Sequence, residues 1–134
     1  MKIIRLHKHS NPLYIDQYVA LRNKYAYNLY STEVNVEGTK RYLEMTASVL
    51  VAVENNRVYG AVALSHHGEI TIFVDKSMQR KNVGSQLVKA IEHVATHLNF
   101  KKVWVWVQNR NEGAIVFFNK NKYDQHHYFK KDLQ

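Results

Sequence analysis

The residues best placed to do chemistry in this chain are Gln79-Arg80-Lys81-Asn82-Val83-Gly84-Ser85. They follow an apolar run, Glu69 to Asp75, that reads as a strand, and they open a pattern from Val83 to Leu98 with the period of an amphipathic helix. A loop in that place lines up backbone N–H groups at a helix N-terminus, where the dipole favours an anion. Gly84 lets the backbone come close, and Asn82 is one of the few non-glycine residues that tolerates a left-handed conformation. Arg80 and Lys81 add positive charge. The expected ligand is a phosphate, and a pyrophosphate rather than a single group. The competing reading is an ordinary strand-to-helix connection with solvated basic residues. Neither G-x-x-x-x-G-K-[ST] nor G-x-G-x-x-G occurs, so the P-loop and dinucleotide readings lack their residues.

The elements that must hold this loop can be read from period and turn chemistry. Lys2 to Leu6 is expected as an opening strand, and Asn11-Pro12 as a helix start followed by Leu13, Tyr14, Val19, Leu21 and Tyr25. A short helix is expected from about Glu37 to Met45. Ser48 to Glu54, the Asn55-Asn56 turn and Arg57 to Ser65 form a hairpin, and His66-His67-Gly68 turns into Glu69 to Asp75. In the helix that follows, Leu87, Val88, Ile91, Val94, Ala95 and Leu98 recur at helical spacing. Lys102 to Gln108 alternates and, after a crossover helix, is expected to run parallel to the third meander strand. Asn111 to Asn121 reads as a last helix and His126 to Leu133 as a closing strand. The fold class is α/β: a mixed central sheet with an antiparallel meander and one parallel crossover, flanked by helices.

Composition narrows the function classes. The 134 residues fit one domain over 1–134, near the common size of about 100–150. No apolar run approaches the ~20 residues that span a bilayer, and the N-terminus lacks the apolar stretch of a signal peptide. With no cysteine, disulfides, thiolate metal sites and cysteine catalysis are excluded, and the expected location is cytoplasmic without membrane association. A net charge of +8 calls for an anionic partner. The basic residues are scattered and no RNA-binding signature is present, so nucleic acid is not the expected partner.

Gln79-Arg80-Lys81-Asn82-Val83-Gly84 resembles the Q/R-x-x-G-x-G/A signature of the GNAT superfamily of N-acetyltransferases, with Asn82 where the family usually has its first glycine. Downstream, Asn111, Ala114, Phe117, Phe118 and Tyr123 resemble the family's N-x-x-A-x-x-F-Y-x-x-x-G-F pattern. The element order is also similar, over residues 2 to about 133. The resemblance implies a GNAT-like fold, acetyl-CoA as acetyl donor, and two parallel strands that splay apart to admit the pantetheine arm. It implies backbone contacts to pantetheine from Phe73 and Val74, and a pyrophosphate cradle made by Gln79, Arg80, Lys81, Asn82, Val83, Gly84 and Ser85. It further implies a side-chain contact from Asn111, which reads equally as a helix N-cap. The acceptor would approach from the opposite face, near the N-terminal helices.

The implied reaction is attack of an amine on a thioester. An alkylamine with pKa near 10.4 is neutral to only about one part in two thousand at pH 7, so a base is needed. Glu69 is the candidate, at the start of the strand leading into the loop, although it also reads as an exposed turn glutamate. Asp75 is weaker, since it reads as a cap, and Glu54 reads as solvated. A backbone N–H, that of Phe73, is expected to polarise the thioester carbonyl. The family's usual proton donor to the thiolate is the tyrosine that Phe118 replaces here. That leaves water, Tyr123 or Tyr128, the last two reading more simply as packing aromatics.

His66-His67 and His126-His127 are adjacent pairs that face opposite sides of a strand. His93 and His97 stand i, i+4 on a helix with no third ligand nearby, so no metal is expected. Tyr14, Tyr18, Tyr25, Tyr27 and Tyr30 cluster where the acceptor pocket is expected, and serve equally as packing. Leu21-Arg22-Asn23 is faintly similar to acetyltransferases acting on nucleotide-linked amino sugars. The expectation is thus an acetyl-CoA-dependent N-acetyltransferase for a small-molecule or protein amine, with a homodimer possible for the family. The alternatives are a non-catalytic acyl-CoA sensor on the same fold, for which Phe118 speaks, and a basic nucleic-acid-binding domain.

Overall fold

This computed structural model describes residues 1–26, 32–79, 81–107, 111–125 and 128–133, and each of the four α-helices among them begins on an asparagine. Strand β1 (Lys2–Arg5) leads to α1 (Pro12–Lys24), where Asn11 accepts from Leu13 N–H at 3.0 Å and Pro12 needs no partner of its own. Asn35 caps α2 (Val36–Met45) through Gly38 N–H at 2.7 Å. The meander is β2 (Ser48–Glu54), β3 (Arg57–Leu64) and β4 (Ile70–Val74). Its first turn places both Asn55 and Asn56 at positive φ, the conformation a two-residue hairpin requires. A 3-10 turn (Lys76–Met78) then leads into α3 (Val83–His97), followed by β5 (Lys102–Val105), α4 (Glu112–Lys120), β6 (Asp124–Gln125) and β7 (Phe129–Asp132).

Strands β1-β2-β3-β4 form one antiparallel sheet, with Val51 opposite Ile4 and Ala61, and Ala61 opposite Phe73. Strands β5-β7-β6 form a second antiparallel sheet. The two meet at a single parallel bridge, Glu69 to Trp104, among the described residues. The parallel crossover expected from sequence is therefore one residue pair long. Two boundaries differ from expectation. The strand expected over Lys102 to Gln108 stops at Val105, and Gln108 lies outside the described residues. The closing strand expected over His126 to Leu133 is β7 (Phe129–Asp132), with β6 (Asp124–Gln125) paired antiparallel to it, and His126 and His127 lie outside the described residues.

Alternation sorts the first sheet's two faces. Leu50, Ala52, Val62, Leu64 and Ile70 face α3, whose Leu87, Val88, Ile91 and Ala95 are all 0% exposed. Val49, Val51, Ala61, Ala63 and Phe73 face α1 and α2, against Ile15, Tyr18, Leu21 and Leu43. Val103, Val105, Phe118, Tyr123 and Phe129 extend the α3 cluster into the second sheet. A polar strap holds that junction. Tyr123 Oη donates to Glu92 Oε2 at 2.8 Å, and Lys131 Nζ donates to Glu92 Oε1 at 2.9 Å.

Candidate functional site

The parting of β4 and β5 opens a cleft of about 1030 Å³. Its walls are Ile70 to Val74 on one side and Val105, Trp106 and Val107 on the other, with α4 contributing Gly113, Ala114 and Phe117. One edge of β4 is bonded to β3. Ser65 N–H bonds to Glu69 C=O at 2.9 Å and Asp75 N–H to Tyr59 C=O at 2.7 Å. Narrow pairs alternate in an antiparallel ladder, so Thr71 and Phe73 also turn their backbone groups toward β3. Ile72 and Val74 turn theirs to the cleft. The expectation that the Phe73 amide polarises a carbonyl in the cleft is therefore corrected: its N–H belongs to the ladder with Ala61. Its side chain lies among the α1 aromatics, with ring centroids 5.7 Å from Tyr18 and 6.4 Å from Tyr25.

The far end of the cleft is the N-terminus of α3. Asn82 sits there at φ 61°, ψ 16°, left-handed as its identity allows, and its side chain does not cap the helix. The first carbonyl-to-amide bond of the helix runs from Gln86 N–H to Asn82 C=O at 3.0 Å. The amides of Val83, Gly84 and Ser85 precede it and form the positive end of the helix dipole. Gln79, Asn82, Gly84 and Ser85 line the cleft. Gln79 Nε2 also donates to the cleft-facing carbonyl of Val74 at 3.2 Å. Gly84 needs its lack of a side chain for packing: a Cβ there would lie 3.1 Å from Phe117 Cε1. Lys81 is exposed and does not line the cleft, and Val83 points into the core, which leaves only its amide for the site. Arg80 lies outside the described residues. Asn111 lines the cleft while its Oδ1 caps α4 by accepting from Ala114 N–H at 3.0 Å, so its amide nitrogen is the group that can face a ligand.

Glu69 stands where the two sheets separate. It lines the cleft and also a second pocket of about 290 Å³ between β3, β4 and helices α1 and α2. The two cavities share Glu69, Thr71 and Phe73 as walls. Burial raises the Glu69 pKa above its ordinary value of 4.5, and none of the described ion pairs includes it. Asp75 differs. It accepts from Ser77 N–H at 3.1 Å, which with the Ser77 hydroxyl holds its pKa below the ordinary value, so it is a cap, as the sequence suggested.

Neither tyrosine considered as a thiolate acid, Tyr123 or Tyr128, lines the cleft, whereas Phe118, which has no proton to give, does. Phe118 is 3% exposed and sits edge-on to Phe117 and Tyr123. Tyr123 is spent on Glu92, and burial together with that carboxylate raises its pKa. Tyr128 packs edge-on against both Trp104 and Trp106, which also touch each other. Tyr25 reaches the cleft, but its Oη accepts from Lys76 N–H at 3.0 Å, seven residues and roughly 20 Å along the strand from Glu69. His93 and His97 lie on the exposed side of α3, and the described residues contain no metal-binding cluster of three. Sequence reasoning missed Lys120, Trp106 and the edge of Ile72. Lys120 reads from sequence as the usual cation of a last helical turn, and only the fold brings it to the cleft.

The family model for the acetyltransferase (GNAT) family matches residues 12–123. No curated protein matches the chain significantly. Among solved structures, smu.2055 from Streptococcus mutans UA159 superposes with a TM-score of 0.86 at 21% identity, with 100% of both chains covered. An N-acetyltransferase from Staphylococcus aureus Mu50 gives 0.85 at 17% identity, over 99% of this chain and 98% of that one. The protein yncA from Salmonella typhimurium, solved with its cofactor acetyl-CoA, gives 0.82 at 14% identity, over 100% and 94%. At these identities the likeness is one of fold.

Proposed function

Because the chain belongs to the acetyltransferase (GNAT) family, we propose that it moves an acetyl group from acetyl-CoA to a primary amine by direct attack. The observation that carries this reading is the position of Glu69, a half-buried carboxylate shared by a long cleft and a short pocket. The cleft suits the donor. The edge groups of Ile72 and Val74 would bond the pantetheine arm as an added strand would. The amides of Val83, Gly84 and Ser85, with Gln79 and Asn82, would face the pyrophosphate, and Asn111 the arm. Acetyl-CoA supplies the activated acyl group; the remaining work belongs to the chain.

In this reading the acceptor lies in the short pocket with its ammonium against Glu69. The carboxylate takes one proton, directly or through a water; the nitrogen then forms the new bond to the acetyl carbon as the carbon–sulfur bond breaks, and the proton still in excess on the nitrogen passes to water. An edge amide, Ile72 or Val74, steadies the carbonyl oxygen in the role first given to Phe73. With phenylalanine at position 118, the departing thiolate takes its proton from water. The raised pKa of Glu69 suits a base that must accept a proton near neutral pH.

Phe118 also favours a second reading, an acyl-CoA sensor that does not turn over. Calorimetric titration with acetyl-CoA and CoA tests the donor site, and thiol release with a panel of amines separates enzyme from sensor. Saturable binding of one CoA per chain followed by amine-dependent thiol release is expected. Binding without release for any amine would leave the sensor, and no binding would remove both.

A further inference from the structure

We infer, resting on the transferase reading above, that the pocket behind Glu69 selects small amines that also carry an anionic group, and that Thr39 and Arg22 receive that group. Thr39 is the observation that points to a ligand. It is 2% exposed, lines this pocket, and holds the one buried side-chain polar atom without a hydrogen-bond partner among the described residues. A buried hydroxyl in that state carries its desolvation cost uncompensated, and an acceptor atom in the pocket would offset it.

The pocket's polar groups divide by type. Among the described residues Glu69 is its single carboxylate and an acceptor; Arg22 can only donate, and Thr39, Tyr18 and Tyr42 offer hydroxyl protons. Burial raises the pKa of both tyrosines, which keeps them protonated donors. Arg22 and Glu69 line the same pocket, and both charges act on Tyr42, Arg22 lowering and Glu69 raising its pKa. An ammonium against Glu69 and a carboxylate or phosphate against Arg22 and Thr39 would satisfy both charges. At about 290 Å³ the pocket has room for a free amino acid or an aminoalkyl phosphate. The pocket's far side is held in place: Arg22 Nη1 bonds the Thr32 carbonyl, and Asn23 bonds Val34 in both directions at 2.8 Å.

The test is thiol release from acetyl-CoA with matched acceptors: an amino acid, its carboxamide, its decarboxylated amine, an aminoalkyl phosphate, and a short peptide with a free N-terminus and amidated C-terminus. The anionic members are expected to exceed their neutral partners by at least about a hundredfold in kcat/KM, as for a site built around a polar group. Thr39→Val is expected to raise KM for the anionic acceptor about tenfold, with kcat, acetyl-CoA affinity and Tm preserved, and Thr39→Ser to restore it. Thr39 is the position to change because Arg22 also holds the loop. Equal rates for acid and carboxamide, equal rates for the peptide, or an unchanged KM in Thr39→Val would overturn the inference and leave the transferase intact. Acetyl-CoA binding without release for any acceptor would instead remove the transferase reading, and the inference with it.

Discussion

Glu69 and Trp104 pair as a one-residue parallel bridge at the apex of the cleft. Trp104 is attached twice there, its N–H to the Gly68 carbonyl at 3.0 Å and its indole Nε1 to the His67 carbonyl at 3.1 Å. The attachment fixes where the strands part, and hence fixes the backbone of Glu69 at the boundary between the two cavities. A carboxylate one pleat further along β4 would point to the other face of the sheet, toward α3.

Glu69→Gln is expected to lower kcat/KM by about 10²–10⁴ at pH 7, with the deficit narrowing as the pH approaches the acceptor's own pKa near 10.4. In the unaltered protein, activity should fall on the acid side with a midpoint above the ordinary carboxylate value of 4.5, because burial raises the Glu69 pKa. A pH–rate profile of both proteins checks this; identical acid limbs would remove Glu69 as the base.

The same shift bears on stability. A carboxyl whose pKa is raised by folding contributes stability that is fully present below the unfolded value of 4.5 and is lost as pH rises through the folded value. Glu69→Gln removes this loss, so thermal melts across pH 4 to 8 are expected to show the variant equal to or above the parent at the upper end. A variant that is less stable there would mean that the carboxylate has favourable partners in the fold.

Gly84→Glu should abolish CoA binding, since it places bulk and negative charge beside the α3 amides. Gly84→Ala is expected to weaken it about tenfold, because the added methyl must displace the Phe117 ring from 3.1 Å. Calorimetry reads both, and unaltered affinity in Gly84→Glu would show that the donor phosphates bind elsewhere.

Tyr123→Phe should cost about 1.5–3 kcal/mol of stability, the range for a hydrogen bond to a charged group, and leave kcat within about twofold. Thermal melts and initial rates together decide it. A large loss of kcat at unchanged Tm would restore Tyr123 as the proton donor.

Lys122 sits at φ 67°, at the position where the resembled motif has glycine. Lys122→Gly should relieve about 1–2 kcal/mol of left-handed strain, offset in part by the freer unfolded chain, for a net gain of up to about 1 kcal/mol in a denaturant melt.

Most of the element order was legible because each segment's apolar period, Asn-Pro helix start and Asn-Asn turn agreed. The parting of β4 and β5 was less so. The alternation in Lys102 to Gln108 tells which side chains are buried, and is silent on whether the strand edge has a neighbour. The Phe73 error has the same root: side-chain period fixes a residue's face, but the direction of its N–H depends on the parity of the ladder set by the Glu69–Ser65 pair. Glu69 could be named from a resemblance, whereas its place between two cavities is a tertiary fact. Thr39 carried no signal, since an orphaned hydroxyl exists only once everything around it has packed.

The chain has only 5 glycines, and four of the five non-glycine positive-φ residues among those described are asparagines, at 55, 56, 82 and 99. Asparagine roams less than glycine when the chain is unfolded, so each of these bends forfeits less disorder on folding. At position 82 this economy reaches the ligand: an anion docking on a bend that is already set would forgo the cost of stiffening it, and its affinity should depend little on the loop's own fluctuations.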